Sequence, residues 1–204
     1  ELGPFQDRVY YHRFGPEGRM QRPLVTLPGA ELYRGVHPDG SGFTMSTRHG
    51  LRPWVTTGPD SWFYGLSSAY EIQEWSEEGE PIRIMRILRD RRDMPGDVVA
   101  AWEENLRELP AQAANVWRAV PLPDRLPAHE EILLDRAGNL WMAEYRVLDE
   151  PPVWQVIDPD GRWLGAVTLP DGGRITEIGE DYVLGVWRDE MEVETVRMYG
   201  LIKP

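Results

Sequence analysis

With 204 residues, 41% of them hydrophobic and 27% charged, the chain has enough material for one substantial domain or two small ones and lies outside the disordered and fibrous classes. Lys and Arg number 22 against 34 Asp and Glu, and the formal net charge of -12 argues against a general affinity for nucleic-acid phosphates or anionic membrane surfaces. The absence of cysteine excludes disulfide frameworks, thiolate metal sites, iron–sulfur clusters and thiol catalysis; no apolar run reaches the roughly 20 residues of a membrane span, and no stretch reads as a signal peptide.

The mixture of 9 Trp, 8 Tyr, 18 Pro and 20 Gly favours many short strands, because large aromatics suit pleated, half-buried surfaces and Gly and Pro punctuate turns. In chain order, Val9 to Leu27 reads as two outer strands joined through FGPEGRM. Glu31 to His49 reads as two more around GVHPDGSGFTM, too little chain for four. Arg52 to Leu88 reads as a complete four-stranded unit, through WVTTGPDSWFYG and WSEEGEPIRIMRI. The basic run RIMRILRDRR, Arg83 to Arg92, has Asp90 and Asp93 beside it and reads as a solvated outer strand rather than a phosphate-binding patch.

After Pro95-Gly96, the spacing of Val99, Trp102, Leu106 and Leu109 predicts one inserted helix over about 95–110, with Asp97 as N-cap, Pro110 as its stop and an exposed Glu103–Arg107 pair. Glu130 to Leu169 reads as a second four-stranded unit, through EILLDRAGNLWMAEY and IDPDGRWLGAVTLP. Arg174 to Leu201 supplies three strands, through ITEIGEDYVLGVW.

The stretch VIDPDGRWL, Val156 to Leu164, sets a choice between a calcium loop and a hairpin tip. It lacks the third ligand position and the distal Glu of an EF-hand loop. Its relatives FGPEGRM and WSEEGEP keep the glycine but not the Asp-x-Asp pair, which a hairpin tolerates and a calcium site does not; Asp158 and Asp160 therefore read as turn residues. A four-stranded unit recurring at about 40–45 residues is the signature of a propeller blade. The expected fold is all-β: a partial β-propeller of about three to four four-stranded antiparallel blades with one inserted α-helix. It forms a single domain over 1–204 whose ring is incomplete, either the C-terminal part of a longer propeller or a ring that a partner completes.

The run GPDSWFYGLSSAYEIQEWSEEGEPIRIMR (Gly58 to Arg86), with LPAHEEILLDRAGNLWMAEY and VWQVIDPDGRWLGAVTLP after it, resembles bacterial six-bladed β-propeller proteins of the NHL-like and gluconolactonase-like type. The resemblance covers Gly58 to Leu201 and bears on fold more than chemistry, since such propellers include lactonases, lyases and pure binding modules. It implies an extracytoplasmic location, periplasmic or secreted. In the lactonase-like members, carboxylate and amide oxygens from several blades surround one calcium ion.

Blade geometry puts the residues entering inner strands, Arg52, His129, Glu130 and Arg174, at the mouth of the central channel, joined by the second-strand exits Glu144, Tyr145, Arg188, Asp189 and Glu190. His129 with Glu130 and Glu144 could ligate a divalent metal such as calcium or supply a general base; the competing reading is a set of solvated loop residues. His12, His37 and His49 stand alone and read as surface histidines, and Trp62, Trp75, Trp141, Trp154, Trp163 and Trp187 as packing between blades. No G-x-S-x-G, H-E-x-x-H, Walker or G-x-G-x-x-G motif occurs. The leading functional expectation is therefore a binding or interaction module for a small molecule or protein partner, and the competitor is a metal-dependent lactonase-like hydrolase.

Overall fold

The computed structural model describes residues 2–37, 39–189 and 191–202. They form four antiparallel sheets and two helices, and no helix among them is long and apolar enough to cross a membrane. The chain divides into two compact units, one of residues 1–55 and 60–128 and the other of 56–59 and 129–204.

The first unit opens with a long hairpin, β1 (Gly3–Phe14) and β2 (Met20–Val36), to which β3 (Gly42–Ser46) adds in the order β1-β2-β3. This corrects two expectations: β2 does not stop at Leu27, and Glu31 to His49 is not a separate pair of strands. Pro23 and Pro28 have no N–H to give a ladder. The structure accommodates both at register shifts, Gln6/Arg8 beside Pro28 and Tyr11/His12 beside Pro23. The Pro28 carbonyl is not idle, for it accepts the Tyr64 hydroxyl at 2.6 Å, and burial pushes that phenol's pKa up.

The second sheet, in this unit except for residues 56 and 57, is the four-stranded meander expected for Arg52 to Leu88, β4 (Pro53–Thr57), β5 (Ser61–Leu66), β6 (Glu71–Ser76) and β7 (Pro81–Arg86), paired in chain order. Trp62 and Tyr64 on one face of β5 pack with Leu27, Tyr11 and Val25 of the β1–β2 hairpin. Trp62 also stacks on Trp75, centroids 5.6 Å apart. The basic run is an outer strand as far as Arg86: Arg83 pairs with Glu74, Arg86 with Glu71, and Arg89 sits 3.9 Å above the Tyr70 ring.

The insertion holds two helices rather than one, α1 (Gly96–Glu108) and α2 (Ala111–Arg118). Pro110 ends α1 because it cannot donate, and the same residue precedes α2, its carbonyl accepting the Ala114 N–H at 3.0 Å. Reading Pro110 only as a stop concealed the second helix. The N-cap position of α1 is Pro95; Asp97 lies inside the first turn, where its carboxylate accepts the Val98 N–H at 2.9 Å. The buried stripe is Val98, Trp102 and Leu106, while Leu109 is 36% exposed. Arg107 pairs with Glu104 rather than Glu103. Trp102 and Trp117 meet edge to face at 5.5 Å and join the helices.

In the second unit, β8 (His129–Leu134), β9 (Leu140–Glu144), β10 (Val153–Ile157) and β11 (Trp163–Thr168) form the second expected meander. The strands β12 (Gly173–Ile178), β13 (Tyr182–Arg188) and β14 (Glu194–Gly200) form the expected three-stranded sheet. Its core joins Trp141, Trp154 and Val156 to Ile175, Ile178, Val183 and Trp187. Ile175 and Ile178 have opposite parity along β12 and would face apart in a regular strand; the register shift between Ile175 and Glu177 lets both reach the core. Of the tryptophans read as packing residues, Trp163 departs, being 60% exposed.

Six hairpin turns, starting at Gly15, His37, Ser76, Asp135, Asp158 and Asp189, share one backbone pattern. The first residue's N–H donates to the fifth residue's carbonyl, and the fourth residue's N–H donates to the first's carbonyl. The fourth residue has positive φ in each: Gly18, Gly40, Gly79, Gly138, Gly161 and, without glycine, Glu192 at 60°. The loops of FGPEGRM, WSEEGEP and IDPDGRW share this pattern with those of GVHPDGSGFTM and LLDRAGNLW, and Asp158 and Asp160 are turn residues. Asp158 accepts the Arg162 N–H at 2.8 Å, closing its own loop. Because an L side chain is strained at that fourth position, Glu192→Gly is expected to stabilise the protein by about 0.5 kcal/mol, the relief of strain exceeding the extra freedom of the unfolded chain. The check is a urea midpoint that rises; a fall would show Glu192 making a compensating contact.

Candidate functional site

At the open end of the β8–β9 pair the structure brings three of the expected residues together, since His129 lies opposite Glu144 in the ladder and Glu130 follows His129. Their carboxylates are engaged within the fold. Glu144 accepts a hydrogen bond from the amide of Gln155, a buried side chain on β10 whose own oxygen accepts the Trp163 indole N–H at 2.7 Å. Glu130 accepts from Arg146 at 3.2 Å, and Arg146 reaches on to Asp171 at 2.7 Å. The hydrogen bond from Arg146 holds the Asp171 carboxyl below its ordinary range. His129 is wholly enclosed, at 0% exposure.

The remaining expected residues lie elsewhere. Arg174 is exposed near the start of β12 and close enough to Glu131 to act on its charge. Asp189 accepts the Met191 and Val193 N–H groups, both at 2.9 Å, as the first residue of its turn. Arg188 pairs with Glu194, Tyr145 is half-buried, and Glu190 lies outside the described residues. Arg52, in the first unit, is exposed and joined through its backbone to Ser67 by bonds of 2.8 and 3.1 Å. Among the described residues no three His, Asp or Glu side chains converge into a group that could hold a metal ion.

Glu131, beside Glu130, was not expected to matter. Burial, then the charge of Glu130, raises its pKa, with Arg174 pulling the other way. A carboxyl whose folded pKa is raised destabilises the fold once it ionises: stability falls as pH rises from the ordinary value near 4.5 through the folded value, and is level above it. Glu131→Gln is therefore expected to stabilise the protein at neutral pH and to lose that advantage below about pH 4.5. Paired urea titrations at pH 7 and 4 check this, and an advantage that grows in acid would contradict it.

The first unit carries a groove of about 620 Å³ lined by Pro4, Phe5 and Gln6 of β1, Glu31 of β2, His49 and Leu51 after β3, Arg91, and Pro123 to Arg125. The segments after β7 and after α2 meet there as a short antiparallel bridge: Leu126 N–H donates to the Arg92 carbonyl at 2.9 Å, Met94 N–H to the Asp124 carbonyl at 2.8 Å, and Asp93 pairs with Arg125. That bridge fixes where Arg91 and Arg125 stand. Glu31 is tied to Leu51 twice, its N–H donating to the Leu51 carbonyl at 2.8 Å and its carboxylate accepting the Leu51 N–H at 3.2 Å. Burial, then the charge of Arg48, lowers the His49 pKa, favouring the neutral imidazole. Sequence reading placed His49 alone on the surface and Arg91 in a solvated run; the only hint of the groove was that RDRR outlasts the strand pattern.

No protein-family model matches the chain, and no curated protein matches it at a significant level.

Proposed function

We propose that this chain is a binding or interaction module of the β-propeller kind, similar in build to the NHL-like and gluconolactonase-like proteins of bacteria, with its ligand surface in the groove of the first unit. The propeller reading is supported by two four-stranded meanders paired in chain order and by hairpin loops of one recurring design. The extracytoplasmic location and a partner that completes a ring belong to the same proposal. The observation that carries the binding function is the contrast between two places. The Glu130 and Glu144 carboxylates are already bonded to Arg146 and Gln155, whereas the groove of about 620 Å³ has the size and mixed lining of a small-molecule site.

The test sets binding against hydrolysis. The purified chain, dialysed against calcium, is analysed for bound metal and assayed with glucono-δ-lactone. The expected result is no stoichiometric calcium and no turnover above buffer. Stoichiometric calcium with lactone hydrolysis abolished in Glu144→Gln would establish the lactonase-like alternative instead.

A further inference from the structure

We infer that the groove takes a small monocarboxylate with an apolar body, its carboxylate received by the guanidinium of Arg91. This deepens the binding-module reading and rests on it.

Arg91 is half-buried and makes no hydrogen bond or ion pair with any described residue. Its neighbours in the basic run are engaged, Arg83 with Glu74, Arg86 with Glu71 and Arg89 over Tyr70. Across the groove, Arg125 holds Asp93 at 3.4 Å. A half-buried arginine without a counter-charge is available to an anion, and its planar fork of donors matches the two oxygens of a carboxylate.

The two carboxylates lining the groove do not fill that role. Glu31 faces the Leu51 N–H, and Asp124 is exposed, its carbonyl holding Met94. The rest of the lining supplies the apolar half of the ligand site, with Phe5, Pro4, Leu51 and Pro123. The Phe5 ring is held by the Arg34 guanidinium 4.6 Å above it. The chain as a whole carries a net charge of -12, which disfavours loose capture of anions and leaves directed pairing at Arg91 as the source of affinity. One unpaired guanidinium matches one negative charge, which is why the ligand class is a monocarboxylate rather than a phosphate.

The test is a titration of the ¹⁵N-labelled chain with 3-phenylpropionate, acetate, inorganic phosphate and 3-phenyl-1-propanol, followed by amide shifts. Saturable shifts centred on Phe5, Leu51 and Arg91 are expected with 3-phenylpropionate, at least tenfold weaker for acetate and for the alcohol. Arg91→Gln should weaken binding of the acid by tenfold or more while leaving the alcohol unchanged, and Arg91→Lys should fall between. An alcohol that binds as well as the acid, unchanged affinity in Arg91→Gln, or tighter binding of phosphate overturns the inference but leaves a binding groove. No saturable shift at these residues with any probe overturns both. The comparison of acid with alcohol uses the unmodified chain, so it stands even if a variant fails to fold.

Discussion

Trp187→Ala is expected to destabilise the protein by about 3–5 kcal/mol, the cost of emptying an aromatic site in a packed core. Trp187 is 2% exposed and belongs to the cluster that joins the β8–β11 and β12–β14 sheets. Its ring lies flat along its own sheet over two glycines: a Cβ on Gly173 would stand 2.2 Å from the indole, and one on Gly185 would stand 2.8 Å from it and 2.7 Å from the Arg174 carbonyl. Gly173 is the residue opposite Trp187 in the ladder, so ring and glycine form a complementary cross-strand pair. Tyr199 closes over the ring edge to face at 4.9 Å.

With a urea dependence of about 2–3 kcal/mol per molar, the loss should move the unfolding midpoint down by about 1.5 M. The arrangement also demands non-additivity. Gly173→Ala should be severe beside the native tryptophan and nearly neutral in the Trp187→Ala background, because the space it needs is then vacant. Additive effects in that double-mutant cycle would mean the ring does not rest on Gly173.

Asp135→Ala is expected to cost about 3 kcal/mol, much more than the same change at Asp158, for which about 1 kcal/mol is expected. Both aspartates open the same loop, yet they differ in what they hold. Asp158 accepts the Arg162 N–H at 2.8 Å on an exposed tip. Asp135 accepts four bonds: the N–H groups of Ala137 and Asn139, the Asn139 side-chain amide, and the indole N–H of Trp141 at 3.0 Å. Trp141 is 4% exposed and packs in the core, so losing Asp135 strands a buried donor as well as loosening the turn. Urea unfolding of the two alanine variants should separate them by about 2 kcal/mol, and equal losses would show that the indole bond contributes nothing.

The spacing D-R-A-G-N-L-W was therefore legible in a strong sense, since the turn, its positive-φ glycine and the tryptophan two residues beyond form one local assembly. The same holds for both four-stranded units, whose strands are short and consecutive, with turns at Ser76, Asp135 and Asp158 that carry their own capping side chains. Legibility failed where a residue's meaning depended on distant chain. Pro28 lay just past the strand end expected at Leu27, and the Tyr64 hydroxyl that donates to its carbonyl is 36 residues away. Pro110 seemed only to end a helix. Nothing in the sequence showed that Gln155 and Arg146 would be bonded to the carboxylates of Glu144 and Glu130.

By itself the sequence determined the strand-rich class, the hairpin loops, and the extents of the two four-stranded units and the three-stranded one. These are set by turn chemistry and alternation acting over about five residues, a range within which neighbours are known from the order of the chain. Only the tertiary structure decided which charged groups have partners. The antiparallel bridge between the segments at 92–94 and 124–126 forms part of the groove, where Arg91 has no ion-pair partner among the described residues. Ion pairing is a matter of distance in space, and the residues that could have neutralised Arg91 are placed by folds of the chain that no local pattern encodes.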